Sequence, residues 1–72
     1  MTKIVESTEN SCGFFKIILE EDSSVGFYIF VYETAASKHP ERDYLQDDLA
    51  MAQTFCLEDF GVPINSWVPS KS

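Results

Sequence analysis

Gly13-Phe14-Phe15-Lys16-Ile17-Ile18-Leu19-Glu20 is followed by Glu21-Asp22-Ser23-Ser24 and then by Val25-Gly26-Phe27-Tyr28-Ile29-Phe30-Val31-Tyr32-Glu33. Two aromatic and β-branched runs flank a short polar break, which is the pattern of an antiparallel hairpin. No later segment is as apolar, so strands over about residues 13–20 and 25–33 are expected to floor the core. Successive side chains of a strand point to opposite faces. Phe15, Ile17 and Leu19 then share one face of the first strand, and Phe14, Lys16, Ile18 and Glu20 the other. In the second strand Phe27, Ile29 and Val31 oppose Tyr28, Phe30 and Tyr32. A half-buried antiparallel strand carries polar residues on its wet side, and this one offers only tyrosine hydroxyls there.

Upstream, Lys3-Ile4-Val5-Glu6 is β-compatible and predicts an added edge strand over about residues 2–8, with a loose N-terminal arm as the alternative. Glu9-Asn10-Ser11 is turn material, and Gly13 permits a tight turn into the hairpin. Downstream, Thr34 to Arg42 reads as a loop, with Pro40 holding His39 out of the helical region. Asp43 followed by Gln46 resembles a capping box, and Asp47 and Asp48 suit the positive end of a helix dipole. These signals predict a helix over about residues 44–60. Gly61 fits the left-handed position after it, Val62 the accompanying apolar contact, and Pro63 stops continuation. On the helical period Leu45, Leu49, Ala52, Cys56 and Phe60 form one stripe, with Tyr44, Met51 and Phe55 beside it. The tail over residues 61–72 carries Trp67, which is expected to cover the open end of the core, a short terminal strand over residues 64–68 being the weaker alternative.

The whole chain, residues 1–72, therefore reads as a single small α+β domain. A two- or three-stranded antiparallel meander packs against one long C-terminal helix, as β-β-α or β-β-β-α. So short a chain is near the lower limit for a self-supporting core and needs dense packing or a partner. Six Phe, three Tyr and one Trp supply the packing, since aromatic side chains bury on the order of 150–250 Å² each.

Five Lys and Arg against twelve Asp and Glu give a formal charge of −7. Such a surface repels phosphate backbones and anionic membranes and argues against direct nucleic-acid binding. Its ordinary role is solubility, and its sharper implication is a partner with a basic face. The N-terminal Met1-Thr2-Lys3-Ile4-Val5-Glu6-Ser7-Thr8 has no apolar run long enough for a signal peptide, and no stretch approaches the roughly 18 apolar residues of a membrane span. Cys12 and Cys56 are too few for a secreted disulfide framework, so a cytoplasmic protein with reduced thiols is expected.

Catalytic and ligand signals are sparse. His39 sits beside Pro40 with no nucleophile elbow or equivalent context. Cys12, His39 and Cys56 lack the close pairing of zinc ligands, and Cys56 falls in the core stripe of the helix, where a thiol behaves as a small apolar group. Glu20, Glu21 and Asp22 lack the alternating ligands and central glycine of a calcium loop. Gly13, Gly26 and Gly61 are isolated and form no phosphate cradle. The reading is non-enzymatic, without metal or cofactor. Because one helix covers only one side of a sheet, Phe14, Ile18, Tyr28, Phe30 and Tyr32 are the candidate interface residues on the other. They point to a protein-binding or homo-oligomeric module, such as a homodimer. The alternative is an antitoxin or immunity-type inhibitor that captures a basic protein.

Strand–strand–helix with Gly26-Phe27-Tyr28-Ile29-Phe30-Val31-Tyr32 ahead of an acidic amphipathic helix resembles the small antitoxin domains of the HicB type. The resemblance is one of pattern and spans about half the chain. The Gly-Asp-Thr usual before such a helix is absent, and the sequence suggests no extra strand between hairpin and helix.

Overall fold

The computed structural model describes residues 3–70. Residue 2 of the expected first strand and residues 71–72 of the expected tail lie outside the described residues. The chain runs through β1 (Ile4–Ser7), β2 (Lys16–Asp22), β3 (Gly26–Tyr32) and β4 (Arg42–Gln46) to the helix α1 (Leu49–Phe60). A 3₁₀ turn (Ile64–Ser66) and a short β5 (Val68–Pro69) follow. The strands form one antiparallel sheet in the order β4-β3-β2-β1-β5, with α1 across one side.

The expected hairpin is the centre of this sheet. Ile17 pairs with Val31 and Leu19 with Ile29, and the ladder runs on to Asp22 opposite Gly26. Glu21 and Asp22 therefore stand within β2 rather than in the turn, which is formed by Ser23, Ser24 and Val25. Asp22 closes it, its carboxylate accepting from Ser24 N–H at 2.8 Å and its carbonyl from Val25 N–H at 3.2 Å. Ile17, Leu19, Ile29 and Val31 on β2 and β3 are fully buried, against Ala52, Cys56 and Phe60 of α1 and Val62 beyond it. Burial of each large aliphatic side chain stabilises by roughly 1.5–3 kcal/mol. This layer is the main source of stability.

Two features correct the expected two- or three-stranded meander: five strands are present, and the helix starts later. Arg42–Gln46 was expected to be a loop end and the first helical turn, yet it extends the sheet alongside β3, with Ile29 opposite Tyr44 and Tyr28 opposite Leu45. This strand stands between hairpin and helix, where none was expected. Pairing satisfies the outer backbone groups of β3, which would otherwise compete for water beside the core. It also turns Tyr44 onto the helix side, where its ring lies 5.1 Å from Phe55 and 5.9 Å from Phe60. The cap is Asp48 rather than Asp43: its carboxylate accepts from Met51 N–H at 2.8 Å. β5 adds the fifth strand by pairing Val68 with Glu6 and Pro69 with Val5.

The helix ends as expected. Gly61 is left-handed at φ 69°, and the N–H groups of Gly61 and Val62 return to the carbonyls of Leu57 and Cys56. Trp67 packs against the core, as expected. Among the described residues no helix is long and apolar enough to cross a membrane.

Candidate functional site

With α1 on one side, the register alone defines what the other side carries. Across the sheet run Val68, Glu6, Ile18, Phe30 and Asp43 in one row, and Ile4, Glu20, Tyr28 and Leu45 in the next. Lys16 and Tyr32 form a third pair. Four of the five expected interface residues, Ile18, Tyr28, Phe30 and Tyr32, are therefore together on this open face. Ile18 lies at its centre and is only 8% exposed, while the three aromatic residues around it are half-buried. Tyr28 and Phe30, two positions apart on β3, stack with centroids 5.6 Å apart and planes 16° apart.

Phe14 is not on this face. The alternation expected through residues 13–20 fails at its start, because β2 begins only at Lys16. Asn10 forms a side-chain turn instead: its carboxamide oxygen accepts from the N–H groups of Cys12 and Phe14, each at 3.0 Å, and its amide donates to the Phe14 carbonyl at 3.1 Å. This turn sends Phe14 to the helix side, edge-on to Phe60 at 5.5 Å, with the Arg42 guanidinium 5.5 Å from its ring. Phe15, expected in the core, is left 44% exposed.

The segment between β3 and β4 borders the open face. Glu41 organises it: its carboxylate accepts from the Ser37 hydroxyl at 2.6 Å and from Glu33 N–H at 2.9 Å. These donors, the Ser37 hydroxyl foremost, hold the Glu41 carboxyl below its ordinary value. Arg42 pairs with Glu33 at 2.9 Å. The loop so held brings Pro40 to the sheet, where Ile4, Ile18, Glu20, Phe30, Tyr32 and Pro40 line a concavity of about 220 Å³. Its floor is apolar and Glu20 supplies a carboxylate. Among the described residues Glu20 and Asp43 have neither an ion pair nor a side-chain hydrogen bond, whereas Glu6 accepts from the Ser70 hydroxyl at 2.9 Å. The Lys16 ammonium stands 5.4 Å from the Tyr32 ring and 5.8 Å from the Phe15 ring.

Ile4, Glu20, Pro40, Leu45 and Val68 belong to this surface and were not among the expected residues. Leu45 and Asp43 were legible as alternate positions of a strand, had Arg42–Gln46 been read with period two. Pro40 and Val68 carry no local signal, since they arrive from distant parts of the chain.

The chemistry-bearing side chains elsewhere do not converge. His39 is an exposed loop residue. Cys12 is exposed and Cys56 fully buried under the sheet, where burial, with Asp59 adding to it, pushes the Cys56 thiol up to about 12. Glu21, Asp22, Asp47 and Asp48 surround a wide cleft of about 440 Å³ between the hairpin turn and the start of α1. Asp48 is already committed there as the helix cap. Among the described residues no group of three or more His, Cys, Asp or Glu could hold a metal ion. Comparison with protein-family models, curated proteins and solved structures finds no match to this chain.

Proposed function

We propose that the chain is a protein-binding module and that the open sheet face is its binding surface. The observation that carries this reading is the asymmetry of the sheet: α1 packs on one side only, while Tyr28, Phe30 and Tyr32 stand half-buried around Ile18 on the other. Contiguous apolar surface of this kind, rimmed by charges, is characteristic of interaction sites. Tyrosine suits such a place, because it offers apolar area together with a hydroxyl that tolerates a wet rim. An inhibitor of the antitoxin or immunity type would use the same face against its target.

Phe30→Asp tests the reading by putting a carboxylate at the centre of the face. A protein captured from the native cell is purified and its affinity remeasured for the wild type and the variant, alongside sedimentation of both. Loss of at least tenfold in affinity, or loss of self-association, with a cooperative melting transition retained is the expected result. Binding indifferent to Phe30→Asp and to Tyr28→Asp would place the interface elsewhere.

A further inference from the structure

The open face has a particular chemistry at the concavity beside Pro40, and that chemistry selects an occupant. We infer that the face receives a cationic side chain, arginine before lysine, from a basic protein partner, and that a second copy of this chain is not its occupant. This rests on the reading of the open face as the binding surface.

Size is the first argument. The concavity is about 220 Å³, below the range of about 300–1,000 Å³ usual for free small-molecule ligands. It suits one inserted side chain. Its lining then sets what that side chain must be. Ile4, Ile18 and Pro40 offer apolar contact for a methylene stem, Phe30 and Tyr32 offer ring surface, and Glu20 offers an anion. A long aliphatic stem ending in a cation meets all three needs at once. A purely apolar side chain would desolvate Glu20 without compensating it, and an acidic one would be repelled.

The aromatic rings favour arginine. A planar guanidinium stacks on ring faces and sheds water more readily than an ammonium does. At the margin of the concavity the Lys16 ammonium stands 5.4 Å from the Tyr32 ring, the kind of cation–ring contact proposed for the inserted side chain. Guanidinium also matches the two oxygens of a carboxylate such as Glu20.

Charge complementarity excludes the second copy. Pairing two open faces would bring Glu6, Glu20 and Asp43 from each copy into one interface, six carboxylates against the two Lys16 ammonium groups of this face. Each copy also carries a formal charge of −7. Like-charge juxtaposition across an interface opposes association, and opposite potentials steer it. A basic partner gains from the same groups that penalise self-pairing.

The test uses Nα-acetyl-arginine methylamide as probe, with its neutral citrulline analogue and the norleucine derivative as controls. Each is titrated into isotopically labelled full-length protein and followed by amide shifts. Saturable shifts at Ile18, Glu20, Phe30 and Tyr32 are expected, with the arginine probe at least fivefold tighter than citrulline. Glu20→Gln should reduce arginine to the level of citrulline, and because Glu20 is exposed the fold should be kept. Equal binding of arginine and citrulline would overturn the inference, as would shifts confined to Glu21, Asp22, Asp47 and Asp48. A dimer in sedimentation that Phe30→Asp dissociates would also overturn it, while leaving the open face as the interface. If Phe30→Asp and Tyr28→Asp leave partner binding untouched, the wider reading fails as well, so the two failures are distinguishable.

Discussion

Strand β3 presents two apolar faces whose fates differ. On the helix side Ile29 and Val31 are fully buried and Phe27 nearly so; on the other, Tyr28, Phe30 and Tyr32 remain half-buried. The covered face is built of branched aliphatic side chains that interlock with Ala52 and Cys56 of α1. The open face is aromatic and carries Glu6, Glu20, Asp43 and Lys16 among its rings. Stability belongs to the first face, where water is excluded. On the proposed function recognition belongs to the second, where charges remain solvated and adjustable. The difference teaches that apolar character alone does not identify core: a partner layer does.

Five measurements would break or sharpen this contrast. The largest effect is expected from thiol labelling. Cys56 lies in the covered layer and is fully buried, so it should react with a maleimide only through unfolding. With stability near 5 kcal/mol, that makes it about 10³-fold or more slower than Cys12. The same thiol predicts a pH effect. Its folded value of about 12 exceeds its ordinary 9.0, so the unfolded chain ionises first as pH rises. The stability it contributes is complete below about pH 9.0 and is lost as pH climbs towards about 12. Denaturant melts of wild type and Cys56→Ala between these limits should show the steeper decline in the wild type.

Next, Ile29→Ala should cost about 2–5 kcal/mol, against well under half of that for Phe30→Ala one position along. Equal losses would mean that the open face is as closely packed as the covered one, and the contrast would fail. Gly26→Ala should follow at roughly 1–3 kcal/mol from strain alone. Its φ is 123°, and an added Cβ would press on the carbonyl of Gln46 and meet that of Asp47 at 2.9 Å. Wild-type stability in this variant would remove the close approach of β4 to the hairpin turn. The smallest effect separates the two candidate caps. Asp48→Ala should cost about 0.5–2 kcal/mol, while Asp43→Ala should stay within about 0.5 kcal/mol. The reverse order in thermal melts would return the helix start to Tyr44.

Misreading of the open face traces to two places. At Phe14 and Phe15 the alternation expected from the sequence fails because the Asn10 side chain closes a turn over Cys12 and Phe14, so that regular pairing starts only at Lys16, although the Phe15 N–H already donates to the Tyr32 carbonyl. At Arg42–Gln46 the pattern was ambiguous. Leu45, Leu49 and Ala52 obey a helical spacing, and Asp43 with Gln46 imitates a capping box, yet Tyr44 flanked by Asp43 and Leu45 also fits alternation. Local propensity is too weak to decide between such readings, and tertiary context routinely overrides it. The residues grouped on the open face accordingly exclude Phe14 and include Ile4, Glu20, Pro40, Leu45 and Val68.

By itself the sequence determined the β2–β3 hairpin, the body and C-terminal stop of α1, and the burial of Cys56 against the exposure of Cys12. Each follows from interactions among near neighbours: alternation along a strand, helical period, and a left-handed glycine followed by Val62 and Pro63. Only the tertiary structure decided that Arg42–Gln46 is a strand, that Val68–Pro69 closes the other edge, and that Pro40 meets Ile4, Ile18 and Tyr32. Those outcomes depend on backbone groups and side chains far apart in the chain, whose pairing is favourable only once the hairpin and helix already stand in place.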